Sequence, residues 1–251
     1  MIKNLKILLN YHDLLLIFIW RNLNIRYRQS YLGVLWAVFQ PLSLMILFCA
    51  IFNNSQPLFF LSGLLCWNFF SSAVSSSITS LTSQYALITR IYFPREILPL
   101  SLMAVAFIDY LIAGVLFGIL GIFNHLAISV FMWWVIPLTL LLIMFVVAIS
   151  LLFSSLNVYY RDLQLASNFF IQLIFFASPV FYSTDQISPK FQKVIALNPM
   201  TFIINNMRLC LLHQQPVNLI HFVFMFVVIT ILLFISYCLF KNMEKRFADV
   251  I

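Results

Sequence analysis

Charged residues and glycine are both scarce in this chain. Only 8% of its 251 residues are charged and only five are glycine, whereas 63% are hydrophobic. A soluble domain carries about 25% charged residues, and no soluble fold of this length has a core large enough to bury so much apolar surface. We therefore expect the chain to fold in lipid. One membrane domain is expected over residues 1–251, because no polar stretch is long enough to fold separately.

The few polar residues form no recognisable chemical centre. None of the five glycines belongs to a GxxxxGK[ST] sequence, which a phosphate-binding loop requires. The four histidines are dispersed, no two acidic residues are placed to share a substrate, and the four cysteines show no CxxC spacing. We therefore predict no catalytic residue, no metal site and no cofactor in this chain. Any ATP hydrolysis coupled to it must occur on another polypeptide.

Six apolar stretches are long enough to cross a bilayer as helices, which takes about 20 residues. They cover residues 32–52, 58–81, 97–120, 129–153, 166–182 and 217–240. Only one charged residue, Asp109, lies well inside any of them. Because it has no second acid to form a proton relay, we predict a structural, hydrogen-bonded role for it rather than a transport role. The sequence thus predicts an all-α integral membrane protein with six transmembrane helices.

The basic residues indicate the orientation of these spans. Eleven of the fourteen Lys and Arg residues lie at one set of span ends, and the turns 53–57 and 121–127 have none. The positive-inside rule assigns the basic side to the cytoplasm. We predict that both termini, including the tail 241–251, are cytoplasmic. The net charge of +7 then suits anionic lipid headgroups, and no nucleic-acid partner is expected.

Residues 1–31, before the first span, are predicted to contain an amphipathic interface helix. Its apolar residues recur at helical spacing and cover about 120° of the helix surface, with Arg21 and Arg28 on the far side. The apolar residues are Leu16, Ile19, Trp20, Leu23, Tyr27 and Tyr31. Such a helix lies in the membrane surface and presents its cations to anionic lipid or to a protein. The alternative is that it serves only as an orientation anchor.

Residues 183–216, between the fifth and sixth spans, are predicted to lie outside and to form two short helices. Ser188-Pro189 and Asn198-Pro199 each combine a capping side chain with proline at the first helical position. The helices would cover residues 190–197 and 200–213, and the second is too apolar for free solution yet too polar to span. Two re-entrant helices beside protein or a water-filled cavity fit these properties. An outer gate is expected here.

The cytoplasmic loop 84–96 is the strongest candidate for a protein contact. It is short and contains charged residues and prolines that fix the local backbone, namely Arg90, Pro94, Arg95 and Glu96. Phe93 beside these charges would expose a large apolar ring unless a partner covered it. The alternative is an ordinary charged turn between two spans.

Six short motifs occur in a fixed order at the turning points of the chain. The first is an Arg-Tyr, Ser-x-Leu-Gly, Trp, Pro series within residues 21–41. The others are Phe93-Pro94-Arg95-Glu96, Tyr160-Arg161-Asp162-Leu163, Ser178-Pro179-Val180-Phe181-Tyr182, Asn198-Pro199 and Phe247-Ala248-Asp249. This ordered set resembles the membrane subunit of ABC-2 type exporters, in the polysaccharide export branch, over nearly the full chain. Asn22 departs from the pattern, in which Asp is common.

This resemblance implies an assembly with a partner. Two copies of the chain would form a channel, and two copies of a separate ABC ATPase, which binds ATP and magnesium, would lie beneath. The residues that couple the chain to the ATPase would be Arg21, Arg26, Arg28, Arg90, Phe93, Pro94, Arg95 and Glu96. Channel-lining aromatic candidates are Trp36, Phe39, Phe169, Phe170, Phe175 and Phe176. The outer gate would include Pro179, Tyr182, Pro189, Asn198 and Pro199, and a cytoplasmic loop motif would include Tyr160, Arg161 and Asp162.

The resemblance also implies a cargo. The chain would export a lipid-linked polysaccharide, such as an O-antigen, a capsule or a teichoic-acid-like polymer, across the bacterial inner membrane. An ABC-2 exporter of a small lipid or drug remains the alternative. A membrane-embedded transferase is disfavoured because it needs a positioned acid or base. A secondary carrier is disfavoured because the two halves show no internal repeat and only one intramembrane acid.

Overall fold

The computed structural model describes residues 10–28, 31–52, 56–127, 129–160, 162–184, 187–245 and 247, and the regular elements in these ranges are helices. Of the predicted site residues, only Arg161 lies outside them. The α-helices, numbered here in chain order, are α1 His12–Tyr27, α2 Leu35–Ile51, α3 Pro57–Ile78, α4 Tyr85–Arg90, α5 Ile97–Phe123, α6 Val135–Tyr159, α7 Asp162–Ala177, α8 Pro189–Ala196, α9 Pro199–Leu211 and α10 Leu219–Glu244. Short 3-10 helices, Thr82–Gln84 and Val130–Trp134, precede α4 and α6.

Within the described residues, four segments are long and apolar enough to cross a membrane: α3, α5, the continuous stretch Val130–Tyr159 that ends in α6, and α10. They correspond to the predicted second, third, fourth and sixth spans. The helices α8 and α9 would make a fifth candidate if this pair, bent by 99°, counts as one span. At 17 and 16 residues, α2 and α7 are apolar but shorter than the usual span. The all-helical class is confirmed with four or five candidate spans, and the count of six stays a prediction.

The centre of the bundle is α3, which packs against α2, α5, α6 and α9. Large side chains along it are almost fully buried and interlock with its neighbours. Phe70 stacks on Phe145 of α6 at 5.5 Å between ring centroids, and Phe69 contacts Phe107 of α5 at 5.7 Å. By contrast, the apolar surface of α10 is mostly exposed. A helix that is apolar all round and exposed in an isolated chain is typical of a membrane span.

The helix α7 differs from the predicted fifth span. The hydropathy of residues 166–182 suggested one continuous helix, but α7 begins at Asp162 and ends at Ala177. The prediction was wrong for residues 178–182, which form a turn. Pro179 explains the break, because proline lacks a backbone N–H and disfavours helical geometry in the residue before it. The earlier start suits Asp162, whose carboxylate lies in the first turn and is favoured by the helix dipole.

The N-terminal helix α1 runs beside the first half of α5 in the same direction. Phe18 packs on Phe93, just before α5 begins, and Tyr27 donates a hydrogen bond to Asp109. At 1.5 Å per residue, Asp109 lies about 18 Å along α5 from Ile97. The end of α1 therefore reaches well along the bundle.

Both sides of α1 are apolar, which the sequence interpretation missed. Part of the face predicted to meet lipid headgroups stays open to the surroundings, with Leu16 58% and Trp20 69% exposed, whereas Tyr27 of the same face is bonded to Asp109. A second apolar side packs onto the protein through Leu14, Leu15 and Phe18. The position of α1 in the plane of the membrane stays a prediction.

Candidate functional site

The segment from Arg90 to Glu96 divides into an exposed half and a buried half. Arg90, Ile91 and Tyr92 are exposed, and Tyr92 is 90% exposed. From Phe93 onward the chain turns inward, and Glu96 is only 2% exposed. A partner protein would therefore meet the first half of this segment.

The ring of Phe93 is covered by the chain itself, so the expectation that a partner must cover it was wrong. Phe18 of α1 stacks on it with 6.2 Å between ring centroids. Both belong to a second apolar core that also contains Phe240 near the end of α10 and Phe247 of the tail. This core joins the N-terminal helix, the predicted coupling loop and the C-terminal end of the last span. Sequence patterns could not reveal it, because its members are far apart in the chain.

Four charged residues fasten the same loop to α10, and we call them the clasp: Arg95, Glu96, Lys241 and Glu244. The Nζ atom of Lys241 lies 2.7 Å from Oε2 of Glu96 and 2.8 Å from Oε2 of Glu244. The backbone N–H of Arg95 donates to Oε1 of Glu244 at 3.0 Å, and its guanidinium donates to the Glu244 carbonyl. A buried carboxylate needs such partners, because desolvating an unpaired charge is costly.

The clasp limits the predicted coupling role. The Glu96 side chain cannot contact a partner protein in this conformation, because its carboxylate is buried against Lys241. Pro94 is buried as well, whereas Arg21 and Arg28 of the N-terminal segment are exposed. The structure thus places Arg21 and the predicted coupling residues of the loop 84–96 at one end of the bundle. Arg26, which is paired with Asp109, and Arg28 lie at the other end of α1, and only part of the whole set is turned outward.

Asp109 of α5 is hydrogen-bonded, as predicted, and its partners come from the end of α1. Arg26 approaches it with 2.9 Å between Nη2 and Oδ2, and the Tyr27 hydroxyl donates to Oδ1. Burial, together with the adjacent carboxylate, raises the pKa of Tyr27, so its hydroxyl remains a neutral donor. Arg26, expected among the residues that couple to an ATPase, is instead paired within the chain and also donates to Ser72 at 3.2 Å.

A cavity of about 460 Å³ lies beside this ion pair, between α1, α2, α3 and α5. We call it the polar cavity. Gln40 and Trp36 of α2 line one side of it. Four of the six α3 residues that line it are polar, namely Asn68, Ser71, Ser72 and Ser75. A smaller cavity of about 290 Å³ continues along α3 beside Ser76, Thr79, Ser80 and Ser83.

The hydroxyl-rich end of α3 is a feature that the sequence interpretation overlooked. Nine of the thirteen residues from 71 to 83 are Ser or Thr, most of them within a predicted span. Several of these hydroxyl groups donate hydrogen bonds to backbone carbonyls of the preceding helical turn, as Ser76 does to the Ser72 carbonyl at 2.7 Å. The density of hydroxyl groups in an otherwise apolar span was the available signal. Polar groups in spans usually face the bundle interior or a water-filled cavity.

On the opposite end of the bundle, Arg208 of α9 holds the turn that follows α7. Its guanidinium donates to the carbonyls of Pro179 at 2.6 Å and Val180 at 2.7 Å, and lies 3.7 Å from the ring centroid of Phe59. Arg208 is 3% exposed, and within the described ranges no carboxylate pairs with it. Carbonyl dipoles and the aromatic face supply the negative potential that the buried cation requires. The sequence interpretation did not single out Arg208.

The predicted gate residues gather around this turn. Asn198 caps α9 by accepting from the Met200 N–H at 3.0 Å, as predicted, and its amide donates to Ser178 at 2.9 Å. The expected cap at Ser188 is wrong, because its side chain makes no capping hydrogen bond even though Pro189 begins α8. Tyr182 donates to the Phe176 carbonyl at 3.0 Å. The role of this region as a gate stays a prediction.

The predicted channel aromatics lie on the two short helices, α2 and α7. Five of them are 48–59% exposed, namely Trp36, Phe39, Phe169, Phe170 and Phe176. Phe175 is partly buried and packs on Trp67 of α3 at 5.2 Å between ring centroids. The chain leaves much of the surface of these five rings uncovered, as expected of residues that meet lipid, a channel or another chain, and Trp36 also lines the polar cavity.

The motif predicted to form a cytoplasmic loop is only partly described. Tyr160 is 65% exposed and Asp162 begins α7, while Arg161 lies outside the described residues. In the described ranges, no group of three His, Cys, Asp or Glu residues could hold a metal ion.

Comparison with known proteins gives a consistent result. The family model of ABC-2 type transporters matches residues 13–212. The O-antigen export system permease protein RfbA of Klebsiella pneumoniae is 28% identical over 247 residues, which cover 95% of each chain. The O-antigen export system permease protein RfbA of Myxococcus xanthus is 27% identical over 264 residues, with complete coverage of both chains.

Proposed function

This chain belongs to the ABC-2 type transporter family, and from that premise we propose that it is the permease subunit of an ATP-driven exporter of a lipid-linked polysaccharide. The observation that supports this cargo best is the end-to-end similarity to proteins named O-antigen export permeases. The similarity covers the gate region and the loop 84–96 as well as the spans. The proposed location is the bacterial inner membrane, with both termini in the cytoplasm.

The energy would come from two copies of a separate ABC ATPase bound on the cytoplasmic side. The chain has no phosphate-binding loop sequence. Its exposed basic and aromatic residues in α1, directly after it and in the loop 84–96, namely Arg21, Arg28, Arg90 and Tyr92, suit a protein surface. The clasp would then pass movement of this loop directly to α10.

Six spans and a second copy of the chain complete the proposal. As helices of 17 and 16 residues, α2 and α7 cover only about 25 Å of a hydrocarbon layer roughly 30 Å thick. Short spans can be accommodated by oligomerisation, and their exposed aromatic rings would then line a channel between two copies. The bent pair α8 and α9 would be the re-entrant outer segment.

Disruption of the gene in its host tests the cargo. We expect the surface glycan to be lost while its lipid-linked precursor accumulates inside, because synthesis continues without export. Both changes should be reversed when the intact gene is supplied on a plasmid. Surface polysaccharide and lipid extracts, compared between the three strains, provide the measurement. Normal surface glycan in the disrupted strain would contradict the proposal.

One observation favours a second candidate, the export of a small lipid or drug. A cavity of about 650 Å³ lies between α3, α5, α6 and α9, and its lining is mainly apolar side chains and the glycines Gly114 and Gly118. Such a cavity suits a lipophilic molecule. The same disrupted strain discriminates between the candidates, because increased sensitivity to lipophilic drugs with unchanged surface glycan would favour the second.

A further inference from the structure

The polar cavity has the size and chemistry of a binding site. Its volume of about 460 Å³ is within the range of roughly 300–1,000 Å³ that is usual for small-molecule pockets. Four helices contribute side chains to it, namely α1, α2, α3 and α5. The cavity is therefore formed by several packed helices, and its polar lining does not come from the hydroxyl groups of α3 alone.

Two of its polar side chains have no hydrogen-bond partner in the part of the chain that the structure describes. The amide groups of Gln40 and Asn68 make no side-chain hydrogen bond within the described residues, although both line the cavity. An amide can donate two hydrogen bonds and accept two. Polar groups inside a membrane protein are costly unless they meet water, protein or a polar ligand. These amides are thus available to a ligand that both donates and accepts hydrogen bonds.

The charge of the cavity excludes strong preference for an anion. Among the described residues that line it, Arg26 and Asp109 are the only Arg, Lys, Asp or Glu residues, and they are paired at 2.9 Å. A phosphate group would meet the Asp109 carboxylate and would have to compete for Arg26, which costs Coulomb energy in a partly desolvated site. Neutral hydroxyl groups avoid this cost and match the serine and amide side chains.

Trp36 adds an aromatic surface to the same cavity. It lines the cavity and is 48% exposed. A sugar ring presents hydroxyl groups at its edge and C–H groups on its faces, so it can use the amides and the indole together. Aromatic surfaces in pockets contribute apolar contact while polar groups fix orientation.

We propose that the polar cavity binds a neutral sugar unit of the exported glycan. This inference rests on the proposed function, since it assigns a place to the same cargo. Gln40 and Asn68 bind the sugar hydroxyl groups, and Trp36 packs on the ring. The ion pair of Arg26 and Asp109 keeps the site electrically neutral. It also holds the end of α1 against α5, where α1 forms one side of the cavity.

Binding to the full-length chain in lipid nanodiscs tests the inference. The probe is the delipidated glycan, released by mild acid from the surface of the strain that carries the gene. Gln40→Leu and Asn68→Leu, on different helices, should each weaken binding about tenfold, the equivalent of about 1.4 kcal/mol and thus of a net hydrogen bond. Thr230→Leu is the matched control, because Thr230 is an exposed hydroxyl residue on α10 away from the cavity. It should bind like the unaltered chain.

Three outcomes would overturn the inference. The first is equal affinity for the probe in the two cavity variants and the control. The second is no binding by the unaltered chain together with normal export by both cavity variants. The third is competition by inorganic pyrophosphate, which would indicate an anion site instead. Failure of the proposed function is separate, since it is shown by normal surface glycan in the disrupted strain whatever the binding result.

Discussion

At the residue scale, the buried charged groups are held by partners from distant parts of the chain. Asp109 is paired with Arg26, Glu96 with Lys241, and Arg208 with backbone carbonyls. Each arrangement satisfies a group whose desolvation without a partner would cost several kcal/mol. Each also fixes one segment against another. The polar contacts of this apolar chain therefore join segments that are far apart in the sequence.

Gly63 gives a sharp test of the turn that Arg208 holds. A Cβ atom at Gly63 would lie 2.6 Å from the Val180 carbonyl oxygen and 2.7 Å from Nη2 of Arg208. Gly63→Ala should therefore displace the turn and lower stability by about 1–3 kcal/mol, as overpacking usually does. Thermal unfolding of the purified chain in detergent measures the change.

The chain offers a matched control for this substitution. Gly114 lies in the middle of α5 and has no neighbouring atom within 4 Å of an added Cβ. Gly114→Ala should leave stability unchanged or raise it by up to about 1 kcal/mol, because alanine favours helix more than glycine does. If the two variants unfolded at the same temperature, the close approach of α3, the turn and Arg208 would be contradicted.

At the element scale, the sequence predicted the helices well where a long apolar stretch forms a single helix. The predicted spans 97–120 and 217–240 overlap closely with α5 and α10, because long apolar stretches become helices in lipid. Hydropathy failed at residues 178–182, where a single proline ends α7 despite apolar neighbours. It also gave no sign that Glu96 and Lys241 meet, since pairing across 145 residues leaves no local pattern. The segment 84–96 does connect α3 to α5, but it contains the helix α4, and the direction in which each side chain points was not predicted.

The clasp should stabilise the junction between that loop and α10. Glu96→Gln removes one charge and leaves Lys241 with a single carboxylate partner, Glu244. We expect stability to fall by about 2 kcal/mol, the usual contribution of a hydrogen bond to a charged group. Thermal unfolding again provides the measurement, and Asp13→Asn, which alters an exposed acid, should have little effect.

Exchange of the two charges separates the ion pair from the general effects of substitution. The double variant Glu96→Lys with Lys241→Glu should recover part of the stability that Glu96→Lys alone loses, because opposite charges again face each other. Recovery will be incomplete, since Glu244 then faces the new glutamate at position 241. A double variant less stable than either single variant would show that Glu96 and Lys241 do not stabilise each other.

At the scale of the whole molecule, the two ends of the bundle differ in how they are built. At one end, α1, the loop 84–96 and α10 share an apolar core, and the clasp joins the loop to α10. At the other end, the turn after α7 is fixed to α9 by Arg208 and Asn198. Between them, α2 and α7 present exposed aromatic rings. Movement imposed at the clasp would reach α10 directly, whereas α2 and α7 remain free to meet a second copy.

Cross-linking tests whether α2 and α7 meet a second copy. The symmetric contact of two identical chains places some residues close to their own counterparts. Phe39→Cys or Phe170→Cys, treated with a short bifunctional thiol reagent in membranes, should give a dimer on denaturing gels. The experiment requires Cys238→Ser as background, because Cys238 is the exposed one of the four cysteines, all of which lie in the described residues.

The control is a cysteine on the exposed apolar surface of α10. Ile231 is 54% exposed, similar to Phe39 at 55%, so Ile231→Cys is equally accessible to the reagent. If the exposed rings of α2 and α7 face a second copy, the dimer band should be strong for at least one of their variants and weak for Ile231→Cys. Strong cross-linking only at Ile231 would place the contact on α10. The aromatic rings of α2 and α7 would then face lipid, and a channel between them would be excluded.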